Sequence, residues 1–207
     1  MPRLLRPSLA RSAGLALVAA ASVAMLSGCT PGAAAPSETA APPNASASPT
    51  PGATAAPTEE PEEPTPFSIG CDELLTPDQL YEFNPNFGTH PDYEPASAEV
   101  ITIVEEDAGT ACGYLNQTSG EVIEVGVATP SPKAGETRRN EAAMTSHVVP
   151  TYGTPPDIEG YFTQAGGGGV AQVFHGPYWI VIESAALFEP GDAAQLVAAV
   201  IGNLPEA

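Results

Sequence analysis

The sequence predicts an α+β fold class: a single compact domain, a mostly antiparallel sheet with packed helices in the order α-βββ-α-βββ-α, placed after a signal peptide and a disordered tether. Three observations predict it. Residues 30–66 hold 10 Pro, 10 Ala, 9 Ser or Thr and 5 Glu but no aromatic, Leu, Ile, Val or Met, so nothing there offsets the entropy of ordering. Phe67 to Ala207 is the size of one domain. Within it, six short apolar runs bounded by turn residues fall into two groups of three, each followed by a helical stretch.

Met1 to Arg11 carries three arginines and no acid, Ser12 to Leu26 is small and apolar, and Leu26-Ser27-Gly28-Cys29 follows at once. This is the three-part layout of an export signal, residues 1–28. The apolar run of about 15 residues is shorter than the ~20 that span a bilayer, and no adjacent arginine pair marks the twin-arginine route. Leu26-Ser27-Gly28-Cys29 resembles the lipobox of bacterial lipoproteins at all four positions. That resemblance implies a diacylglycerol thioether on the Cys29 sulfur, cleavage before Cys29, and acylation, such as by palmitate, of the new amino group. Several chains are what stable anchoring requires.

Residues 29–66 read as this lipidated cysteine and its tether. Proline-rich chain favours extended geometry, so the stretch reaches up to roughly 110 Å at ~3.1 Å per residue. Its acidic end, Glu59-Glu60-Pro61-Glu62-Glu63, reads as a solvated stalk. The Ser and Thr residues flanked by Ala and Pro fit O-glycosylation in some envelopes. Asn44-Ala45-Ser46 and Asn116-Gln117-Thr118 fit the N-glycosylation pattern, which a bacterial lipoprotein reduces to coincidence.

In the domain, residues 67–207, Leu75-Thr76-Pro77-Asp78-Gln79-Leu80 puts a hydroxyl at N-cap, Pro at N1 and Gln at N3, with Leu75 and Leu80 in the staple positions. A helix from Pro77 to about Phe83 is expected, with irregular chain from Asn84 to Ala98. Val100 to Glu105, Ala111 to Gln117 and Glu121 to Ala128 read as strands with turns at Asp107-Ala108-Gly109 and Thr118-Ser119-Gly120. Ser131-Pro132 opens a helix to about Ser146. After the proline-rich Pro150 to Pro156 come strands at Gly160 to Gln164, Val170 to His175 and Tyr178 to Ser184. The last is nearly continuous in apolar character and is expected at the centre of the sheet. Asp192 to about Leu204 is an amphipathic closing helix with Leu196, Val200 and Leu204 on one row.

Of six basic residues, Arg3, Arg6 and Arg11 lie at the extreme N-terminus, whereas all 25 acidic residues lie at or beyond Glu38. A chain cut after Gly28 repels phosphate backbones, which excludes nucleic acid as a partner. Cys71 and Cys112 form an even pair in an exported domain and read as a disulfide closing a loop of about 42 residues, worth roughly 4 kcal/mol in the chain-entropy account.

Lys133, Arg138 and Arg139, the remaining cations, fall on one predicted helix. They read either as a contact for an anionic partner or as surface pairs, Arg138 with Glu141 and Glu136 with Arg139. Tyr178 and Trp179 read either as the lining of a ligand groove or as core. Gly166 to Gly169 lacks the Gly-Lys-Ser/Thr of a phosphate loop and reads as a flexible connection, and Glu105-Glu106-Asp107 reads as a solvated turn. His90, His147 and His175 lack metal-site spacing, with His90 and Asp92 the one close pair. No metal or cofactor is expected, and no Gly-x-Ser-x-Gly elbow or other catalytic motif occurs.

Cys71-Asp72-Glu73-Leu74-Leu75-Thr76-Pro77, Gly109-Thr110-Ala111-Cys112-Gly113-Tyr114, Ile158-Glu159-Gly160 and the pair Val170 to His175 and Tyr178 to Ile182 together resemble small actinobacterial envelope lipoproteins with a one-disulfide domain of unknown function. Such domains often carry Trp shortly after the second cysteine, where this chain has Gly113-Tyr114. The resemblance implies a compact α/β sandwich and carries no catalytic residues. The expected function is a lipid-anchored protein on the outer face of the bacterial cytoplasmic membrane, held there by Cys29, that binds an envelope partner or small ligand without catalysis. The alternatives are a hydrolase of envelope polymers and a structural surface lipoprotein.

Overall fold

Thr76 and Gln79 cap each other's backbone in the computed structural model, which describes residues 62–206. The Thr76 Oγ1 accepts from the Gln79 N–H at 3.3 Å and the Gln79 Oε1 accepts from the Thr76 N–H at 2.9 Å. Helix α2, Pro77–Phe83, therefore starts where residue types dictate, after a single turn α1, Cys71–Leu74. Strand β1 (Phe87–Thr89), helix α3 (Ala98–Glu105), strands β2 (Thr110–Asn116) and β3 (Val122–Ala128), and helix α4 (Pro132–Thr145) follow. The second half holds β4 (His147–Val148), a 3-10 turn at Pro150–Tyr152, β5 (Ile158–Ala165), β6 (Gly168–His175), β7 (Tyr178–Ser184) and α5 (Pro190–Asn203).

All seven strands form one antiparallel sheet in the order β1-β2-β3-β7-β6-β5-β4. Two meanders thus meet at the β3–β7 pair, and β7 is the middle strand, as its continuous apolar run predicts. The α+β class of the sequence reading holds. Gly166 and Gly167 form the two-residue turn of the β5–β6 hairpin with φ of 62° and 95°, a left-handed pair that glycine adopts without strain.

Helices cover both faces. On one, Leu74, Leu80, Ile123, Val125, Ile180, Ile182, Leu196 and Val200 join α1, α2 and α5 to the sheet. On the other, Val100 and Ile103 of α3 and Ala142 of α4 pack with Ala128, Tyr161, Phe174, Trp179 and Val181. Alternation along β7 sends Tyr178, Ile180 and Ile182 to the first face and Trp179 and Val181 to the second.

Two expectations are corrected. Val100 to Glu105 is helix α3, not a strand, although Val-Ile-Thr-Ile-Val favours strand by local propensity. Val100 and Ile103 sit three residues apart on one helical face and drop onto a sheet surface cleared by glycine. A Cβ at Gly126 would stand 2.7 Å from the Ile103 Cδ1, and one at Gly109 would stand 2.7 Å from its Cγ2. Tertiary packing overrides propensity here. Asn84 to Ala98, expected to be irregular, contains β1, which pairs with β2 at the sheet edge.

Thr65 bridges Thr129, and the Phe67 ring meets Tyr178 edge-on with centroids 5.6 Å apart. Contact with the domain therefore begins two residues before the expected boundary at Phe67. Cys29, the segment 1–28 and the tether up to residue 61 lie outside the described residues.

Candidate functional site

Helices α3 and α4 share one face of the sheet. Helix α3 packs on β2 and β3 and α4 on β5, which leaves β6 and β7 between them as the floor of a groove of about 410 Å³. Glu99 and Thr102, three residues apart on α3, form one wall; Glu141 and Thr145, four apart on α4, line the other. Trp179 and Gln172 form the floor. Groove volume and mixed lining fall in the range of small-molecule sites.

The floor is fixed by one hydrogen bond. The Trp179 Nε1–H donates to the Gln172 Oε1 at 3.2 Å. Indole N–H is a donor only, so the contacted atom is the amide oxygen and the Gln172 NH₂ is left with its donors. Gln172 is 7% exposed, and its Nε2 donates to no protein acceptor among the described residues.

Arg138 closes one end. Its guanidinium lies 5.4 Å over the Trp179 ring, its Nη2 is 2.6 Å from the Glu106 Oε2 and its Nε 3.5 Å from the Asp107 Oδ2. Asp107 is 3% exposed, and burial pushes its carboxyl up from the ordinary range while Arg138 pulls it back. Arg139 repeats the pattern one residue on, 5.0 Å over the Phe174 ring and 3.4 Å from the Glu159 Oε1. Both arginines thus turn toward the sheet, and neither pairs within its helix with Glu141 or Glu136. Glu106 and Asp107 are correspondingly not a free solvated turn. Lys133 stands exposed in the first turn of α4, with no ion pair among the described residues.

Beyond the other end of α3 lies a carboxylate node. The Glu124 Oε2 accepts from the Tyr93 hydroxyl at 2.8 Å, from the Ala96 and Ser97 N–H groups at 3.0 and 3.2 Å, and from the Ser97 hydroxyl at 3.3 Å. It therefore anchors the start of α3 from the sheet below. Glu183 stands directly opposite it on β7, with its buried Oε2 unpartnered. Burial first, then the charge of Glu99, hold the Glu183 carboxyl above the usual carboxylate range; the Ser97 hydroxyl pulls it back and the charge of Glu124 adds to the rise. The Tyr93 phenol is raised too, by burial and by its bond to Glu124.

Of the residues singled out from sequence, Tyr178 and Trp179 separate onto opposite faces. Trp179 floors the groove, 2% exposed, whereas Tyr178 packs on Phe67 and donates to the Pro205 carbonyl at 3.3 Å. Both also line a smaller cleft of about 330 Å³ at the start of α4. Cys71 and Cys112 form the expected disulfide, with Cα atoms 5.5 Å apart, tying α1 to β2. His90 lies near Tyr93 and the His175 Nδ1 lies 3.1 Å from the Asp157 carbonyl. Among the described residues, no group of three or more His, Cys, Asp or Glu is placed to hold a metal ion.

Sequence reasoning missed Gln172, Glu124 and Glu183. A signal existed for Gln172, a lone amide inside the apolar run Val170 to Phe174, and for Glu183, which shares the strand phase of Trp179 and Val181. The partners of Glu124 come from residues 93–97, a distant segment, and were not legible. Comparison of the chain with family models, with curated proteins and with solved structures finds no match in any of the three.

Proposed function

We propose that this chain is a lipid-anchored extracytoplasmic protein whose α+β domain binds a small ligand in the groove between α3 and α4. The lipobox at Cys29 supports the anchor and the export signal supports the location on the outer face of the membrane. The observation that carries the binding reading is the groove itself, about 410 Å³ between α3 and α4, floored by Trp179 and Gln172 and lined by Glu99, Arg138 and Glu141. The hydrolase alternative asks for a proton-holding carboxyl beside an open aromatic platform in one cleft. Burial holds the Glu183 carboxyl above the usual carboxylate range, but Glu183 does not line the groove, and the Trp179 ring is covered by Arg138. These features favour binding over catalysis.

Two measurements test the reading. Labelling of the full chain with an alkyne fatty acid is expected to mark the protein, and Cys29→Ser is expected to abolish the label and release the protein from membranes; retention of both overturns the anchor. Thermal unfolding of the full chain is then followed against envelope sugars, peptidoglycan fragments, lipids and divalent cations. A groove ligand at 100 times its Kd adds about 2.7 kcal/mol, a shift of several degrees. Thr145→Arg, at an exposed position on the groove wall, is expected to abolish that shift. A shift that survives it moves the site elsewhere.

A further inference from the structure

The tether meets the domain beside the smaller cleft, the one of about 330 Å³ at the start of α4. Thr65 and Thr129 form an antiparallel bridge, the Thr65 N–H donating to the Thr129 carbonyl at 2.9 Å. In that sense of pairing the chain before Thr65 runs alongside the chain after Thr129, and Pro130, Ser131 and Pro132 are cleft residues. Pro64 is half-buried and Glu62 and Glu63 are exposed. The cleft suits proline. Pro130, Pro132 and Pro177 line it together with Phe174, Tyr178 and Trp179, and Gly135 and Gly176 leave two places without a side chain. Grooves walled by aromatic rings take proline-rich segments because polyproline geometry is preformed and loses little entropy on docking. The chain offers Pro57, Pro61 and Pro64 just ahead of the bridge.

Charge agrees with shape. Glu59, Glu60, Glu62 and Glu63 lie between those prolines, and the three cations beyond Gly28 all lie on α4. Arg139 lines the cleft; its buried Nε, 3.4 Å from the Glu159 Oε1, makes no hydrogen bond among the described residues. Lys133 stands exposed beside it, and Glu136 is the one acid in the lining. Elsewhere this acidic domain repels an acidic peptide.

We infer that the cleft at the start of α4 is a docking site for the chain's own residues 57–64, with the Pro61 ring against the aromatic edge of the cleft and Glu59 and Glu60 beside Lys133 and Arg139. The bridge at Thr65 makes this docking intramolecular, at an effective concentration on the order of mM, so a contact too weak to hold a free peptide suffices. Docking removes these residues from the free tether, shortens its reach by roughly 25 Å and fixes the direction in which the chain leaves the domain. The cleft is separate from the groove between α3 and α4, although Trp179 lines both.

Nitrogen-15 relaxation of the isotope-labelled full chain reads the segment at the Glu59 and Glu60 amides, since its prolines carry no N–H. Both are expected to show order parameters near the rigid value of about 0.85, against less than about 0.6 for free chain. Gly135→Leu puts a side chain into the cleft and is expected to drop both amides to the free-chain range. An ideal Cβ at Gly135 meets only the Pro130 Cγ, at 3.5 Å, an ordinary contact that α4 accepts. Lys133→Glu, at an exposed position, is expected to lower the order as well, and so is added salt. Free-chain values in the parent overturn the inference, and so does order that survives Gly135→Leu. Should that variant fail to fold, Lys133→Glu decides in the same way. Order that falls on dilution of the parent puts the segment in the cleft of a second copy and overturns docking within one chain.

Discussion

Glu124 and Glu183 face one another across the β3–β7 pair, and their carboxylates are satisfied unequally. Glu124 takes four donors from the segment that leads into α3, whereas the Glu183 Oε2 is buried with no partner. Like charges directly opposite in a sheet destabilise it, so the pair is tolerated because Glu183 keeps its proton more readily than a free carboxyl.

That relationship sets a pH dependence. A carboxyl whose folded pKa is raised binds its proton more tightly in the native state, so native stability is lost as pH rises from the ordinary carboxylate range through the raised value. Glu183→Gln is expected to remove this loss and to stabilise the chain at neutral pH by roughly 0.5–1 kcal/mol, the size of a relieved cross-strand repulsion. Chemical unfolding at several pH values checks it. A variant that is less stable than the parent at neutral pH removes the repulsion account.

Arg138 serves a buried acid. Arg138→Ala strands Asp107, which is 3% exposed, and is expected to cost about 3 kcal/mol. The double variant with Asp107→Asn is expected to recover most of that loss, and a double-mutant cycle in urea measures the coupling. Equal losses in the single and double variants would mean that Arg138 acts through its packing on Trp179 alone.

The seat of α3 depends on a missing side chain. Gly126→Val places carbon where the Ile103 Cδ1 already stands, 2.7 Å from an ideal Cβ. Overpacking of this kind costs about 1–3 kcal/mol, and the displaced helix is expected to change the near-ultraviolet signal of Trp179 across the groove. Unchanged stability would show that α3 rides on other contacts.

The disulfide closes 41 residues between α1 and β2. Cys71→Ser with Cys112→Ser is expected to cost roughly 4 kcal/mol in thermal or chemical unfolding, through the unfolded chain. Added reductant is expected to reproduce the loss in the parent and to leave the double variant unchanged.

Much of this protein is determined by short-range information. The helix Pro77–Phe83 follows from the Thr76 and Gln79 reciprocal cap, the β5–β6 hairpin from Gly166-Gly167, and the central place of β7 from an apolar run that only a strand buried on both faces needs. The Cys71–Cys112 link follows from parity. Only tertiary structure decided the helical state of Val100 to Glu105, because its β-branched residues favour a strand until Gly109 and Gly126 open a bed for Val100 and Ile103. It alone decided the groove as well. Arg138 and Trp179 are candidates in the sequence, but Glu99 and Gln172 read as ordinary surface and core residues until α3 and α4 dock on the sheet and leave β6 and β7 as the groove floor between them. Local spacing records what a residue does to its own turn of chain, whereas a site made by the gap between two helices exists only once both have docked.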